Sequence, residues 1–238
     1  MAHLSPASAV SAGARTPPAH LADRRLYLCT ADRPDLATFV EACVVGGVDV
    51  VQLRDKDLHG DRLAQRAAVL VEVCEGYGVP AIVNDLPEVA AAVGAAGVHV
   101  GQDDMDPVSA RAIVGARAIV GLSTHDPDQL RRSLAAPVDY ISAGPVVATP
   151  TKPGRPGTGV EYLSLAVRST TRPVFATGGV TPATVGALAA AGARHFVVVR
   201  YLTEADDPAA AARSLRQAID DAVARADDTV STASAPAG

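Results

Sequence analysis

Apolar and polar positions along the chain follow two alternating periods. Short runs rich in β-branched residues recur at 25–30 (RLYLCT), 48–54 (VDVVQLR), 80–85 (PAIVND) and 97–101 (GVHVG). They continue at 117–123 (RAIVGLS), 138–144 (VDYISAG), 173–179 (PVFATGG) and 194–200 (RHFVVVR). Each run is almost continuously apolar, the pattern of a parallel strand buried on both faces. Each is followed by an Ala-rich segment of helical period, clearest at 61–78 (DRLAQRAAVLVEVCEGYG). Asp61, Asp126 before Pro127, and Thr181 before Pro182 stand where helices should start. Gly46–Gly47, Gly76 and Gly192 stand where they should stop. Eight strand-then-helix units predict an α/β fold, a single (β/α)8 TIM barrel. An open doubly wound sheet is the alternative, but it usually has fewer strands and needs a topological switch point.

The periodicity fails at both ends. Residues 1–22 are rich in Ala, Ser and Pro and lack the apolar core of a secretory signal, so they read as a disordered extension. Residues 226–238 read as a disordered polar tail, which leaves 23–225 for the barrel. No stretch is apolar and long enough to span a bilayer, and a cytoplasmic protein is expected.

Composition narrows the class. The chain has 238 residues, close to the usual size of one such barrel. Without Trp, and with three Phe and five Tyr, its core is expected to be aliphatic. A net charge of −5 offers no basic surface to nucleic acid or an acidic membrane, so an enzyme of anionic substrates must concentrate positive charge locally. Cys29, Cys43 and Cys74 are odd in number and lie in apolar segments, which suits buried thiols rather than disulfides or a zinc site. Self-association is left open.

In such barrels the chemistry sits at the C-terminal strand ends, and polar residues gather there. The second strand ends in Gln52, Arg54 and Lys56, the third in Asn84–Asp85, and the fourth runs into Asp103–Asp104. Gln52 and Arg54 share one parity, so both can point into the barrel mouth. A buried guanidinium needs an anion. A phosphate or diphosphate fits, with Lys56 and Lys152 adding charge, while an internal pair with Asp85 or Asp104 is the structural alternative. Asp85 and Asp104 end adjacent strands, and two close carboxylates repel unless a proton or cation joins them. Mg²⁺ beside a diphosphate suits them. Helix capping is the competing role, and it accounts for Asp106 before Pro107.

The stretch GPVVATPTKPGRPGTG is too irregular for a helix or strand, and a loop of that length is usually functional. Thr149, Thr151 and Lys152 give it two hydroxyls and an ammonium suited to phosphate. The glycines of TGGVTP precede an expected helix start, where barrels often hold phosphate. His99 is expected to be a satisfied core histidine, and His125 to be either a rim residue or a ligand contact. Arg200 is read as the end of the eighth strand, either pairing with Glu204 at the rim or reaching a substrate phosphate.

The ordered series QLRDK, IVNDLPEVA, GVHVGQDD, GLSTHD, GPVVATPTK and ATGGV resembles the thiamine-phosphate synthases over about residues 25–218. The resemblance implies a transferase that condenses a pyrimidine diphosphate with a thiazole phosphate in the presence of Mg²⁺. It implies pyrimidine-diphosphate contacts at Gln52, Arg54, Lys56, Asn84, Ser123 and Lys152, with Arg54, Lys56, Ser123 and Lys152 the catalytic set. Asp85 and Asp104 match the metal ligands, and Thr149, Thr151, Gly179, Val199 and Arg200 match the thiazole-phosphate site. The chain departs from the family pattern at Arg200 and Tyr201, where small residues are common, and at Thr177, where Ile or a small apolar residue is common. Two rival readings remain: the thiazole tautomerase/regulator branch of the same superfamily, which should lack the pyrimidine-diphosphate set, and another phosphate-binding barrel enzyme. An aldolase would want a Schiff-base lysine on a strand, whereas Lys56 and Lys152 fall beyond strand ends.

Overall fold

The computed structural model describes residues 21–149 and 156–233. Strands and helices alternate in chain order: β1 (Leu26–Thr30), α1 (Leu36–Val45), β2 (Val50–Leu53), α2 (Gly60–Gly76), β3 (Ala81–Asn84) and α3 (Pro87–Val93). Then come β4 (Gly97–Val100), α4 (Pro107–Val114), β5 (Ile119–Thr124), α5 (Pro127–Ala135), β6 (Tyr140–Ala143) and α6 (Gly159–Arg168). The series ends with β7 (Val174–Thr177), α7 (Val185–Ala190), β8 (His195–Val198), α8 (Arg200–Thr203) and α9 (Pro208–Ala233). Every strand pairs in parallel with the next, and β8 pairs with β1 to close the barrel. The predicted fold class is therefore the observed one.

Strand alternation divides the interior into two layers. Val51 and Leu53 of β2, Val98 and Val100 of β4, and Phe196 and Val198 of β8 pack outward with helix residues such as Phe39, Leu63 and Leu70. The opposite parity fills the barrel with Tyr27, Val50, Ile82, Ile119, Tyr140 and Phe175. The expected aliphatic core thus holds for most of the outer layer, with Phe39, Tyr162 and Phe196 its buried aromatic exceptions, but not for the inner one. Phe175 meets Tyr27 and Tyr140 edge-on, with ring centroids 5.3 and 5.1 Å away. Room for Tyr140 comes from Gly121, where a Cβ would lie 2.1 Å from the tyrosine ring.

Local signals place several helix starts. Asp126 caps α5 by accepting from the Gln129 N–H at 2.8 Å, and Asp106 caps α4 by accepting from Val108 and Ser109. The seventh helix begins later than Thr181–Pro182 suggests, because Thr184 turns its hydroxyl back onto Thr181 and Gly179 before α7 starts.

Both expected domain ends move outward. Leu21 lies in a 3₁₀ turn (Leu21–Asp23) and is buried in the inner cluster, so the barrel begins before residue 23. At the other end, α9 runs to Ala233, through much of the segment read as a tail. Its buried stripe of Ala212, Leu215, Ile219, Ala222 and Val223 fixes the helix on the barrel, and further turns add hydrogen bonds without a new nucleation cost. Asp227 also ties it down by accepting from Arg194 at 2.7 and 3.0 Å.

Deleting residues 1–20 is therefore expected to leave melting temperature and turnover unchanged. Leu21→Ala should cost about 2 kcal/mol through loss of buried contacts. Denaturant unfolding of the two variants checks this, and equal stabilities would remove Leu21 from the core.

Candidate functional site

A cavity of about 650 Å³ opens at the C-terminal strand ends. Its wall includes Gln52, Arg54, Lys56, Asn84, Asp85, Asp104, Ser123, Thr149, Gly179, Val199 and Arg200. One pocket thus gathers the sequence-selected residues from seven strands and their loops. Thr151 and Lys152 lie outside the described residues.

The β2 segment behaves as its parity predicts. Gln52 points inward and is buried, donating from Nε2 to the Tyr27 hydroxyl at 2.6 Å. Arg54 follows the strand, anchored through its backbone N–H to the Thr30 carbonyl at 2.7 Å. Its guanidinium makes no ion pair among the described residues, so the internal pair with Asp85 or Asp104 does not form. Lys56 takes that place. Its ammonium contacts the Asp85 carboxylate and lies 4.0 Å from Asp104 Oδ1.

Asp85 does not cap the helix after it. Leu86 is the residue before α3, and it makes no side-chain cap. Asp85 instead adopts a φ of 63°, rare for a residue with a side chain, and turns toward Lys56 and Asp104. Asp104 accepts from the Gly101 N–H at 2.8 Å. Burial and a hydrogen bond with Asp104 push the Asp85 carboxyl up, against the pull of Lys56. Burial also acts on Asp104, but the bonds from Asp85 and Gly101 and the Lys56 charge outweigh it and hold Asp104 below its ordinary value. Each carboxyl thus shifts the other's titration, and an ammonium stands beside the pair. Two converging carboxylates are a donor set that a hard divalent cation would fit. Among the described residues no third His, Cys, Asp or Glu joins them.

The far wall is built from β6, β7 and β8. Val146 N–H donates to the Thr177 carbonyl at 2.8 Å, and Gly159 N–H returns to Val146 at 3.0 Å, so the base of the β6–α6 loop is pinned. Gly179 has a φ of 74°, and a Cβ there would meet Val147 at 2.4 Å, which keeps loop and turn in close contact. Arg200 does not end a strand. β8 stops at Val198, and its Phe196–Val198 parity faces the helices, so a continued strand would have aimed Arg200 outward. As the first residue of α8 it is instead exposed at the cavity rim. No ion pair to Glu204 forms among the described residues.

Sequence reasoning missed much of the cavity floor. Tyr27, Cys29, His99, Tyr140 and Ser142 all line it. His99 is satisfied at both ring nitrogens, as expected of a core histidine, yet it also faces the cavity. Inward parity along LYLCT, GVHVG and YISA was the available signal. His125 turns Nδ1 to the Gly144 carbonyl and braces the rim.

Comparison with known proteins bears on the chemistry. Residues 26–202 match the family model described as thiamine monophosphate synthase. The chain belongs to that family. It is 44% identical to a thiamine-phosphate synthase of Arthrobacter sp. (strain FB24), an alignment covering 86% of this chain and 98% of that one. Against the thiamine-phosphate synthase of Mycobacterium tuberculosis (strain CDC 1551 / Oshkosh) identity is also 44%, over 84% of this chain and 96% of the relative. Among solved structures, a thiamine phosphate pyrophosphorylase from Pyrococcus furiosus superposes with a TM-score of 0.76 at 26% identity, covering 84% and 96% of the two chains. A 3-hexulose-6-phosphate synthase superposes with a TM-score of 0.63 at 20% identity, covering 82% of this chain and 99% of the other, and shares the fold alone. These relatives make the chain an enzyme of thiamine phosphate formation, a transferase. No described helix is long and apolar enough to cross a membrane.

Proposed function

We propose that the chain joins 4-amino-2-methyl-5-(diphosphooxymethyl)pyrimidine to thiazole phosphate, releasing thiamine phosphate and diphosphate. The observation that carries this reading is the Asp85–Asp104 pair with Lys56 beside it and Arg54 on the same cavity wall. That set suits a diphosphate accompanied by a divalent cation. Asp85 and Asp104 would hold Mg²⁺, which supplies positive charge to the leaving diphosphate.

The remaining chemistry belongs to the chain. The methylene C–O bond breaks and the electron pair leaves with the diphosphate, whose charge Arg54 and Lys56 neutralise. The electron-rich aminopyrimidine stabilises the resulting carbocation, and the thiazole nitrogen forms the new C–N bond. No side-chain nucleophile is needed. Lys152 is assigned to the same diphosphate, and Ser123, Gln52 and Asn84 to the pyrimidine half. Thr149, Thr151, Gly179 and the Val199–Arg200 pair are assigned to the thiazole phosphate.

Incubating the protein with both substrates and Mg²⁺ tests the reading. Thiamine phosphate and diphosphate should appear in equal amounts and should vanish with EDTA. Absence of product with metal present would overturn it.

Arg200 offers a sharper check on the thiazole side. Arg200→Ala should raise KM for the thiazole phosphate about tenfold, the low end for a charge-assisted hydrogen bond because the side chain is exposed. KM for the pyrimidine diphosphate should barely move. Equal small effects on both constants would leave only the backbone serving the site.

A further inference from the structure

The cavity floor is a continuous chain of hydrogen bonds that crosses the barrel. Gln52 Nε2 lies 2.6 Å from the Tyr27 hydroxyl, which lies 2.9 Å from the Tyr140 hydroxyl. Tyr140 lies 2.8 Å from His99 Nδ1, and His99 Nε2 lies 2.8 Å from Ser123 Oγ. All five side chains line the cavity, and only its two ends, Gln52 and Ser123, are among the residues assigned to substrate. Tyr27 and Tyr140 are fully buried, and burial pushes both phenols well above their ordinary range, so each keeps its one proton.

Counting protons gives the chain a direction. The Cys29 thiol donates to Gln52 Oε1 at 3.5 Å, which turns the amide nitrogen toward Tyr27. Tyr27 therefore accepts from Gln52, and its own proton has one acceptor within reach among the described residues, the Tyr140 oxygen. Tyr140, having accepted, must give its proton to His99 Nδ1. A ring that accepts at Nδ1 carries its hydrogen on Nε2 and donates it to Ser123 Oγ. The Ser123 hydroxyl hydrogen is then left for the cavity. Reversing the chain would require the Gln52 amide to turn over, taking the oxygen acceptor away from the Cys29 thiol and leaving that S–H without the partner it has here.

We propose that Tyr140 and His99 are positioning residues: they lock His99 as the neutral Nε2–H tautomer and thereby make Ser123 a hydrogen-bond donor into the pocket. The ligand group over Ser123 is then an acceptor, either a ring nitrogen or a phosphate oxygen. This last step rests on the proposed function, whereas the tautomer assignment does not.

Nitrogen-15 spectra of the ¹⁵N-histidine-labelled full chain read the tautomer directly, with the His99 signal identified by its loss in His99→Gln. The expected wild-type signature is a protonated Nε2 and a bare Nδ1. Tyr27→Phe should preserve it, because Tyr140 still has only Nδ1 to donate to. Tyr140→Phe should release it, giving a mixture with Nδ1–H, and should raise KM for the pyrimidine diphosphate roughly three- to tenfold while leaving KM for the thiazole phosphate unchanged. An Nδ1–H or imidazolium signature in the wild type would overturn the proposal, whether or not either variant folds. So would an unchanged tautomer in a folded Tyr140→Phe protein. Thiamine phosphate formation is measured separately, so failure of the functional reading would appear as absent product beside an intact Nε2–H signature.

Discussion

Replacing Asp85 or Asp104 with alanine is expected to lower turnover by at least about a hundredfold, the scale for losing a main stabiliser of charge developing in the transition state. The fold should survive. A carboxyl whose folded-state pKa lies above its unfolded value binds its proton more tightly in the fold, so stability is lost as pH rises through that interval. Asp85 is raised in this way by burial and by Asp104, so its charge at neutral pH works against folding. Asp85→Asn should therefore melt within a few degrees of the wild type, or above it, at neutral pH, and still fail in turnover. Retaining these carboxylates against their own repulsion is a cost typical of a site kept for function. Steady-state rates across a Mg²⁺ titration, run beside thermal melts, check both halves. Full activity of either alanine variant at limiting metal would remove the cation from this pair.

The barrel was legible because two periods of apolar residues repeat along the chain, and burial on both faces of every strand leaves few other arrangements. Gln52 was legible for the same reason, since alternation along VVQL sets its direction. Alternation failed at Arg200 because it was carried past the end of β8. The break comes at Val199, whose φ of −127° and ψ of −90° turn the chain into α8, and no residue type there announces it. The partner of Lys56 was also hidden, because it depends on the left-handed backbone at Asp85, and an Asp before Leu-Pro reads equally well as a cap. Tyr27, Tyr140 and His99 were hidden for a different reason. An aromatic or His in an apolar run looks like core, and these residues are core as well as cavity floor. The ends misled through composition: the residues around Asp227 are polar, yet α9 carries them onto Arg194 because its earlier turns are already held in place.

On the proposed function, in which Arg54 is a donor to the leaving diphosphate, Arg54→Ala is expected to lower kcat/KM by about a hundred- to a thousandfold. Two roles were open to this guanidinium, and they differ in what its loss does to stability. A structural pair with Asp85 or Asp104 would make the variant unstable, because a half-buried carboxylate would lose its counter-charge. In the structure Lys56 serves those carboxylates, and Arg54 pairs with none of the described residues. Its charge lines the cavity without compensation until an anion arrives, so Arg54→Ala should melt at or above the wild-type temperature. Arg54→Lys should recover only part of the rate, because an ammonium keeps the charge but loses the planar fork that meets two phosphate oxygens together. Inorganic diphosphate with Mg²⁺ gives a readout that needs no turnover. It should raise the wild-type melting temperature by mass action and raise that of Arg54→Ala far less. A variant that is destabilised yet binds diphosphate as tightly as the wild type would return Arg54 to a structural role.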